Sequence, residues 1–315
     1  MKWKDYVWPA IGLAAVAFSG WLLYGELRGI SASDVIAGFQ AIPLHRWLLA
    51  AGGAVVAYAA LAGYDHIALT HLGKRVSWVF VTLCSFTTYA LSHNIGGSVA
   101  SGAVIRYRAY ATKGLTGQDV GILVAFCWFT FILATVFLLG VVLVLEPGLT
   151  DRFVDIEALP ITLSATTGYL CLALVALYVL GSWIGFRPLR IGGVRLDYPS
   201  LPNVARQLTI GPIELIGAAS IIYFALPEAG NPGFIIVLGV FIIAFSVASA
   251  THAPGGIGVF EIVALAGFTD MDTVSVLTAL LVFRLFYLIV PLLLALVVVI
   301  GFERSQLARR RRPLG

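Results

Sequence analysis

The sequence predicts an all-α polytopic membrane helical bundle of about eight hydrophobic segments, two of them glycine-broken re-entrant hairpins. Three observations carry the prediction. Sixty percent of the 315 residues are apolar and only 11% are charged, against roughly 25% charged in an ordinary soluble domain. Apolar runs of about 20 residues, the length that crosses a hydrocarbon core of about 30 Å, recur from one end of the chain to the other. Lysine and arginine separate from the acids along the chain, as they do when loops alternate between two sides of a bilayer. Residues 1–315 read as a single membrane domain.

The first run covers 8–26. Lys2 and Lys4 precede it, so it also has the form of a signal peptide with Ala15-Val16-Ala17 at the cleavage position. Trp21, Leu22 and Leu23 carry the apolar run past that cut, and a retained helix is the reading taken. Full spans follow near 46–68, 119–145, 161–185, 205–226 and 274–302, and a basic cytoplasmic tail, with Arg304 and Arg309 to Arg312, occupies 303–315. Two further apolar stretches are interrupted: 78–105 by Asn94-Ile95-Gly96-Gly97, and 233–268 by Ala253-Pro254-Gly255-Gly256. Glycine and proline break the helical hydrogen-bond ladder, and broken backbone at membrane depth is tolerated only where protein or a wet cavity satisfies it. The stretch 233–251 is also long enough to cross fully and be followed by a short return helix.

With both termini cytoplasmic and each broken stretch returning to its own side, sixteen of the twenty Lys and Arg fall in cytoplasmic segments. These include Lys74, Arg75, Arg106, Arg108, Lys113, Arg187, Arg190, Arg195 and Arg206. Only Arg28, Arg46 and Arg152 fall outside, Arg284 lies within a span, and the outer loops collect Asp151, Asp155, Glu157, Asp270 and Asp272. The first hairpin then enters from the cytoplasm and the second, flanked by Glu228, Asp270 and Asp272, from outside, so the two point at each other. Their breaks match in pattern, Ser92-His93-Asn94-Ile95-Gly96-Gly97 against Thr251-His252-Ala253-Pro254-Gly255-Gly256. Inverted repeats whose broken helices meet near the midplane are the pattern of transporters.

Ionisable residues inside spans cost about 2.5–3.5 kcal/mol on insertion scales, so they are retained for a reason. Five stand out: Asp65, Arg106, Glu214, Glu261 and Arg284. Each has a structural reading. Asp65 and Arg106 lie near enough to an interface to snorkel into headgroups, Glu214 and Arg284 are placed to form an internal salt bridge, and Glu261 is placed to cap the helix that starts near Gly256. The functional reading is a polar path for a lipid headgroup, which hydrocarbon alone would exclude. Arg106 would hold a phosphate with backbone N–H groups around Gly96 and Gly97, while Asp65, Glu214 and Glu261 receive an amine or a proton. Asn94, Pro254, Gly255, Gly256 and Arg284 complete the candidate substrate-binding set. His93 and His252 occupy matching places in the breaks; neither has a second ligand at metal spacing, and helix capping or a bond to a freed carbonyl is their plainer role.

No metal site or cofactor is expected. Cys84, Cys127 and Cys171 stand alone inside apolar runs and read as core residues. The tail arginines beside a membrane helix read as an anchor to anionic lipid rather than a nucleic-acid contact. There is no Walker-type loop and no clear Ser/His/Asp set.

The stretch Pro254-Gly255-Gly256-Ile257-Gly258-Val259-Phe260-Glu261 resembles the PGGxGxFE signature of the lysylphosphatidylglycerol synthase transmembrane region family. That family includes the flippase domain of the multiple peptide resistance factor and stand-alone, YbhN-like bacterial inner-membrane proteins. Asn94-Ile95-Gly96-Gly97, followed by Gly102 and Arg106-Tyr107-Arg108, resembles the family's glycine-rich segment ending in arginine. The resemblance covers nearly the whole chain, and by motif position Asp65 (in Gly63-Tyr64-Asp65), Arg106, Glu214 and Glu261 correspond to polar residues kept in the family's membrane part. The first hairpin departs from the pattern in carrying His93 and several serines. The resemblance implies translocation of an anionic or aminoacylated phospholipid between leaflets of a bacterial inner membrane. Aminoacyl transfer belongs to a soluble C-terminal domain in that family, and this chain ends soon after its last span, so it is expected not to be an enzyme. A membrane-embedded lipid headgroup transferase and a non-catalytic membrane partner protein stay open as alternatives. Membrane phospholipid is the expected partner, with a homo-oligomer or a separate lipid-modifying enzyme both compatible.

Overall fold

The computed structural model describes residues 31–95, 98–153, 164–186, 189–191 and 194–310. The run 8–26, the start of the run 161–185, Gly96, Gly97 and residues 311–315 of the basic tail lie outside the described residues.

Local chemistry sets where the helices begin. Helix α1 (Ala32–Ala41) opens on a capping box in which the Ser31 hydroxyl accepts from the Asp34 N–H and the Asp34 carboxylate accepts from the Ser31 N–H. It stops ahead of Pro43, which in turn stands at the N-cap of α2 (Leu44–His71). Short connections lead to α3 (Trp78–Ile95), α4 (Ser98–Ala111) and α5 (Gly117–Leu145), the last opened by a second capping box between Thr116 and Asp119. A short, tightly wound helix of seven residues, Pro147–Phe153, follows α5. Ser164 caps α6 (Ala165–Ile184), and Gly185, at φ 72°, ends it in the left-handed conformation that favours glycine. A small antiparallel hairpin, β1 (Leu189–Ile191) with β2 (Val194–Leu196), leads into α7 (Leu201–Ala225), which contains Pro212. Then come α8 (Phe234–Ala250), the turn Pro254–Gly256, α9 (Val259–Gly267), α10 (Thr273–Phe283), a π-helical turn at Arg284–Ile289, and α11 (Val290–Arg310).

The result is an all-α membrane helical bundle. Among the described residues, five helical segments are long and apolar enough to cross a bilayer: Leu44–His71, Gly117–Leu145, Ala165–Ile184, Leu201–Ala225 and Thr273–Phe302. Its two ends differ in charge. At one end the Lys74 ammonium lies 3.0 Å from Asp119, joining the end of α2 to the start of α5, in company with Arg75, Arg108 and Lys113. At the other, Arg46 of α2 meets Glu228 after α7, and Arg152 after α5 meets Asp270 ahead of α10.

Each broken stretch is a hairpin whose arms open on the same end. Trp78, starting α3, lies against His66 near the close of α2, and Tyr110, near the close of α4, lies against Phe80. That hairpin belongs to the basic end. Phe234, starting α8, lies against Tyr223 near the close of α7, and Gly267, closing α9, is pressed onto Phe153. That hairpin belongs to the acidic end. The two tips meet inside the bundle: Ser92 and His93 of the first and His252, Ala253, Gly255 and Gly256 of the second line one small cavity. Residues 233–251 therefore end against the other hairpin instead of running to the far side.

The core is built on close backbone contact between α2 and α7. A Cβ added to Gly53 would lie 2.7 Å from the Gly217 carbonyl oxygen, and one added to Gly217 would lie 2.8 Å from the Ala57 nitrogen. Small residues are how membrane helices approach, since lipid removes the hydrophobic drive between apolar surfaces. A Gly217→Leu change is expected to lower stability by about 1–3 kcal/mol through overpacking, read as an earlier thermal transition in detergent. Gly52→Leu, at a position with nothing within 4 Å of the added Cβ, should leave the transition where it is.

Candidate functional site

Asp65 on α2 and Arg106 on α4 form the deepest polar contact of the first hairpin. Gly102 sits one turn before Arg106, and its missing side chain leaves room for the guanidinium, whose Nη1 would lie 3.2 Å from a Cβ there. The Arg106 Nη2 donates to Asp65 Oδ1 at 2.7 Å, and Nε reaches Oδ2 at 3.1 Å. Tyr110, one further turn along α4, donates its hydroxyl to Oδ2 at 2.9 Å, and the Tyr89 ring lies 4.7 Å from the guanidinium carbon. Asp65 is fully buried and Arg106 is 4% exposed.

This corrects the snorkelling reading of these two residues. Bending toward headgroups would separate two charges that, in a low dielectric, are held far better against each other and with the remaining carboxylate lone pairs bonded. It also changes the role foreseen for Arg106. Two of its nitrogens are committed to Asp65, so it meets a ligand as part of a neutral pair, and Gly96 and Gly97, the backbone that would join it, are not among the described residues.

The expected Glu214–Arg284 salt bridge is likewise corrected. Arg284 pairs through Nε with Glu261 and donates Nη1 to the Gly255 carbonyl at 3.1 Å. The second Glu261 oxygen accepts the Gly258 N–H at 2.8 Å, so this carboxylate caps α9 and holds the arginine at once. Capping is the reason for the exchange of partners: it turns Glu261 back toward the hairpin tip, within reach of Arg284. That tip requires glycine, because Gly255, Gly256 and Gly258 have φ of 61°, 62° and 84°. Pro254 contributes the carbonyl that closes the tip onto the Ile257 N–H. In the other tip, the Asn94 amide donates to the Ala90 carbonyl at 2.7 Å and the Leu288 carbonyl at 3.2 Å, tying the first hairpin to the segment after α10.

Glu214, on α7 just past Gly211 and Pro212, is 1% exposed. Its Oε1 accepts from the Tyr287 hydroxyl at 2.7 Å, and its Oε2 has no hydrogen-bond partner among the described residues. No described cationic side chain pairs with it. The π-helical turn that carries Tyr287 is a widened turn of a kind found at functional sites, and the Tyr58 hydroxyl donates to the Tyr287 carbonyl there at 2.9 Å. His93 stacks on the Tyr287 ring at 5.4 Å, and its Nδ1 is also without a partner among the described residues. His252 is exposed, with Nδ1 2.9 Å from the Ala250 carbonyl.

These groups surround a cavity of about 430 Å³ whose polar wall holds Arg106, Glu214, His93, Ser92, Ser249 and the Tyr64 and Tyr287 hydroxyls. Its outer wall includes Val99 and Trp128, 47% and 53% exposed, so it faces the lipid between α4 and α5. A smaller cavity of about 60 Å³ shares Ser92, His93, Phe245, Ser249 and His252 with it and reaches Arg284, Gly255 and Gly256. The structure thus brings Arg106, Glu214 and Arg284 onto one path, with Asp65 and Glu261 behind two of them as counterions. Among the described residues no three His, Cys, Asp or Glu side chains converge as metal ligands. Sequence reasoning missed the tyrosines, Tyr64, Tyr89, Tyr110 and Tyr287. Tyrosine inside an apolar run was the available signal, since a buried hydroxyl needs a partner.

No family model matches the chain. Among curated proteins it is 30% identical over 306 residues to the uncharacterized protein slr0712 of Synechocystis sp., covering 96% of this chain and 94% of that one. It is 30% identical over 260 residues to the inner membrane protein YbhN of Escherichia coli, covering 79% and 78%. It is 28% identical over 283 residues to a phosphatidylglycerol lysyltransferase of Staphylococcus aureus, covering 87% of this chain and 31% of that longer protein.

Removing one member of the buried pair leaves the other uncompensated. Asp65→Ala is expected to cost about 3–5 kcal/mol, seen as loss of the monodisperse peak on heating in detergent, and Asp65→Ala combined with Arg106→Met should recover a large part of it.

Proposed function

Since this chain belongs to the family of the inner membrane protein YbhN, which is related in sequence to the phosphatidylglycerol lysyltransferases, we propose that it binds a membrane phospholipid in the central cavity and moves it between leaflets, without aminoacyl-transferase activity. The observation that carries this reading is the cavity itself. It lies between the tips of two hairpins anchored at opposite ends of the bundle, it faces lipid, and it holds a carboxylate with an oxygen unpartnered among the described residues. A space of about 430 Å³ is in the range of small-molecule sites, enough for a headgroup while the acyl chains stay in lipid outside. Glu214 would receive an amine on the headgroup, the Arg106 side of the wall would face its phosphate, and Tyr287 and His93 would supply the rings and donors between them.

Oppositely anchored hairpins suit alternating access, because rocking one against the other opens the shared space to one side or the other. In this reading the basic end is cytoplasmic, which places the C-terminus there, and the chain resides in a bacterial inner membrane.

The test is leaflet exchange of labelled phosphatidylglycerol, phosphatidylethanolamine and phosphatidylcholine in liposomes holding the purified protein. Exchange should be faster than in protein-free liposomes for at least one lipid. It should fall about tenfold or more in Glu214→Gln, which loses the charged acceptor, and in Ser249→Trp, which fills the place where the two cavities join, with both variants melting like the wild type. No acceleration for any lipid, with and without a proton gradient, would return weight to a headgroup transferase or a partner protein.

A further inference from the structure

We infer that the acidic end of the bundle carries a second phospholipid site, an interfacial pocket that takes the phosphodiester of a glycerophospholipid on Arg46. The inference stands on Arg46 and its surroundings, and holds whether or not lipid moves through the central cavity.

Arg46 lies in the first turn of α2 and is 7% exposed. Among the described residues its contacts are a hydrogen bond from Nη2 to the Tyr223 carbonyl at 3.2 Å and an ion pair of 3.4 Å to Glu228, whose side chain is 83% exposed. That is an unequal match. A long pair to a solvated carboxylate contributes little, while burying the guanidinium has a desolvation cost of several kcal/mol. Arg106 and Arg284 each face a buried acid, whereas the acid that Arg46 meets is solvated, which leaves Arg46 the most weakly neutralised of the three.

There is space beside it for a stronger partner. Two cavities of about 390 Å³ each flank Arg46, and both are also lined by His45, Phe224 and Glu228. One extends under α1 to Gly38 and Thr278, and the other to Asn231 and Gly233 at the start of α8. Neither α2 nor α8 has a side-chain cap at its N-terminus, so the positive ends of both helices add to the field of the guanidinium. An arginine that presents its fork beside such ends is suited to a phosphate. Apolar chains also have a place to go, because Leu48, Leu49, Val55 and Val56 of α2 are exposed along the same helix. A soluble phosphate would use the arginine and leave that face idle; a glycerophospholipid uses both.

The full-length protein, stripped of lipid in detergent, is titrated with dioleoylphosphatidylglycerol and the bound lipid read by native mass spectrometry. Diolein, with the chains but no phosphate, and glycerol 3-phosphate, with the phosphate but no chains, are run as competitors. Arg46→Gln should weaken binding about tenfold. Glu228→Gln, an exposed change that removes the competing carboxylate, should tighten it about two- to fivefold, and neither competitor should displace the lipid at equal concentration. Were Arg46 only a structural ion-pair partner, Glu228→Gln would leave binding unchanged or weaker, and that outcome overturns the inference even if Arg46→Gln does not fold. Displacement by glycerol 3-phosphate at equal concentration would overturn the lipid assignment.

Discussion

A charge inside hydrocarbon persists only against an opposite charge, and two such pairs organise this bundle. Asp65 with Arg106 joins the first hairpin to α2, and Glu261 with Arg284 joins the second to the turn after α10. In both, the acid has a further partner, the Tyr110 hydroxyl in one case and the Gly258 N–H in the other. Such further bonds help a buried ion pair offset its desolvation, although the Arg284 Nη2 has no partner among the described residues. The pairs act as pins: a broken helix has lost part of its own ladder, and each hairpin is held by an ionic contact to an unbroken neighbour.

What the pins leave over defines the cavity. With Arg106 and Arg284 neutralised by acids of their own, Glu214 is, among the described residues, the buried carboxylate that keeps an open acceptor, and it keeps it on the wall of the largest space between the hairpins. The rings around it are part of the same arrangement. Tyr287 lies between Glu214 and His93, touching the first through its hydroxyl and the second through its face, while Tyr58 bonds its carbonyl. The π-helical turn at Arg284–Ile289 contains both Arg284 and Tyr287, so one local widening of the backbone serves both hairpins. Glycines let the backbones of α2 and α7 touch directly.

Much of this was legible in the chain. Apolar runs with a length matched to the bilayer announced the helices, and glycine and proline announced the breaks, because both signals act within a few residues. The five ionisable residues were also visible, since a charge in an apolar run is conspicuous whatever surrounds it. Their partners were not. Arg284 has Glu214 and Glu261 both within plausible reach on paper, and only the capping geometry of α9, which turns Glu261 back toward the tip, decides between them. Arg106 and Asp65 lie 41 residues apart, and nothing in either segment states that the other will be adjacent.

The amino-acid sequence by itself determined that this protein is an all-α membrane bundle, which stretches are apolar enough to cross, where glycine and proline interrupt two of them, and which charges stand inside apolar runs. Those are consequences of local hydropathy, backbone conformational freedom and the cost of a charge in lipid. Only the tertiary structure decided which charges neutralise each other, that Glu214 is left open beside a cavity, that the tyrosines line it, and that Arg46 at the opposite end has a partner in water. Pairing is a contest among all groups brought within a few ångströms, and which groups those are is settled by helix packing, through contacts between residues far apart in the chain.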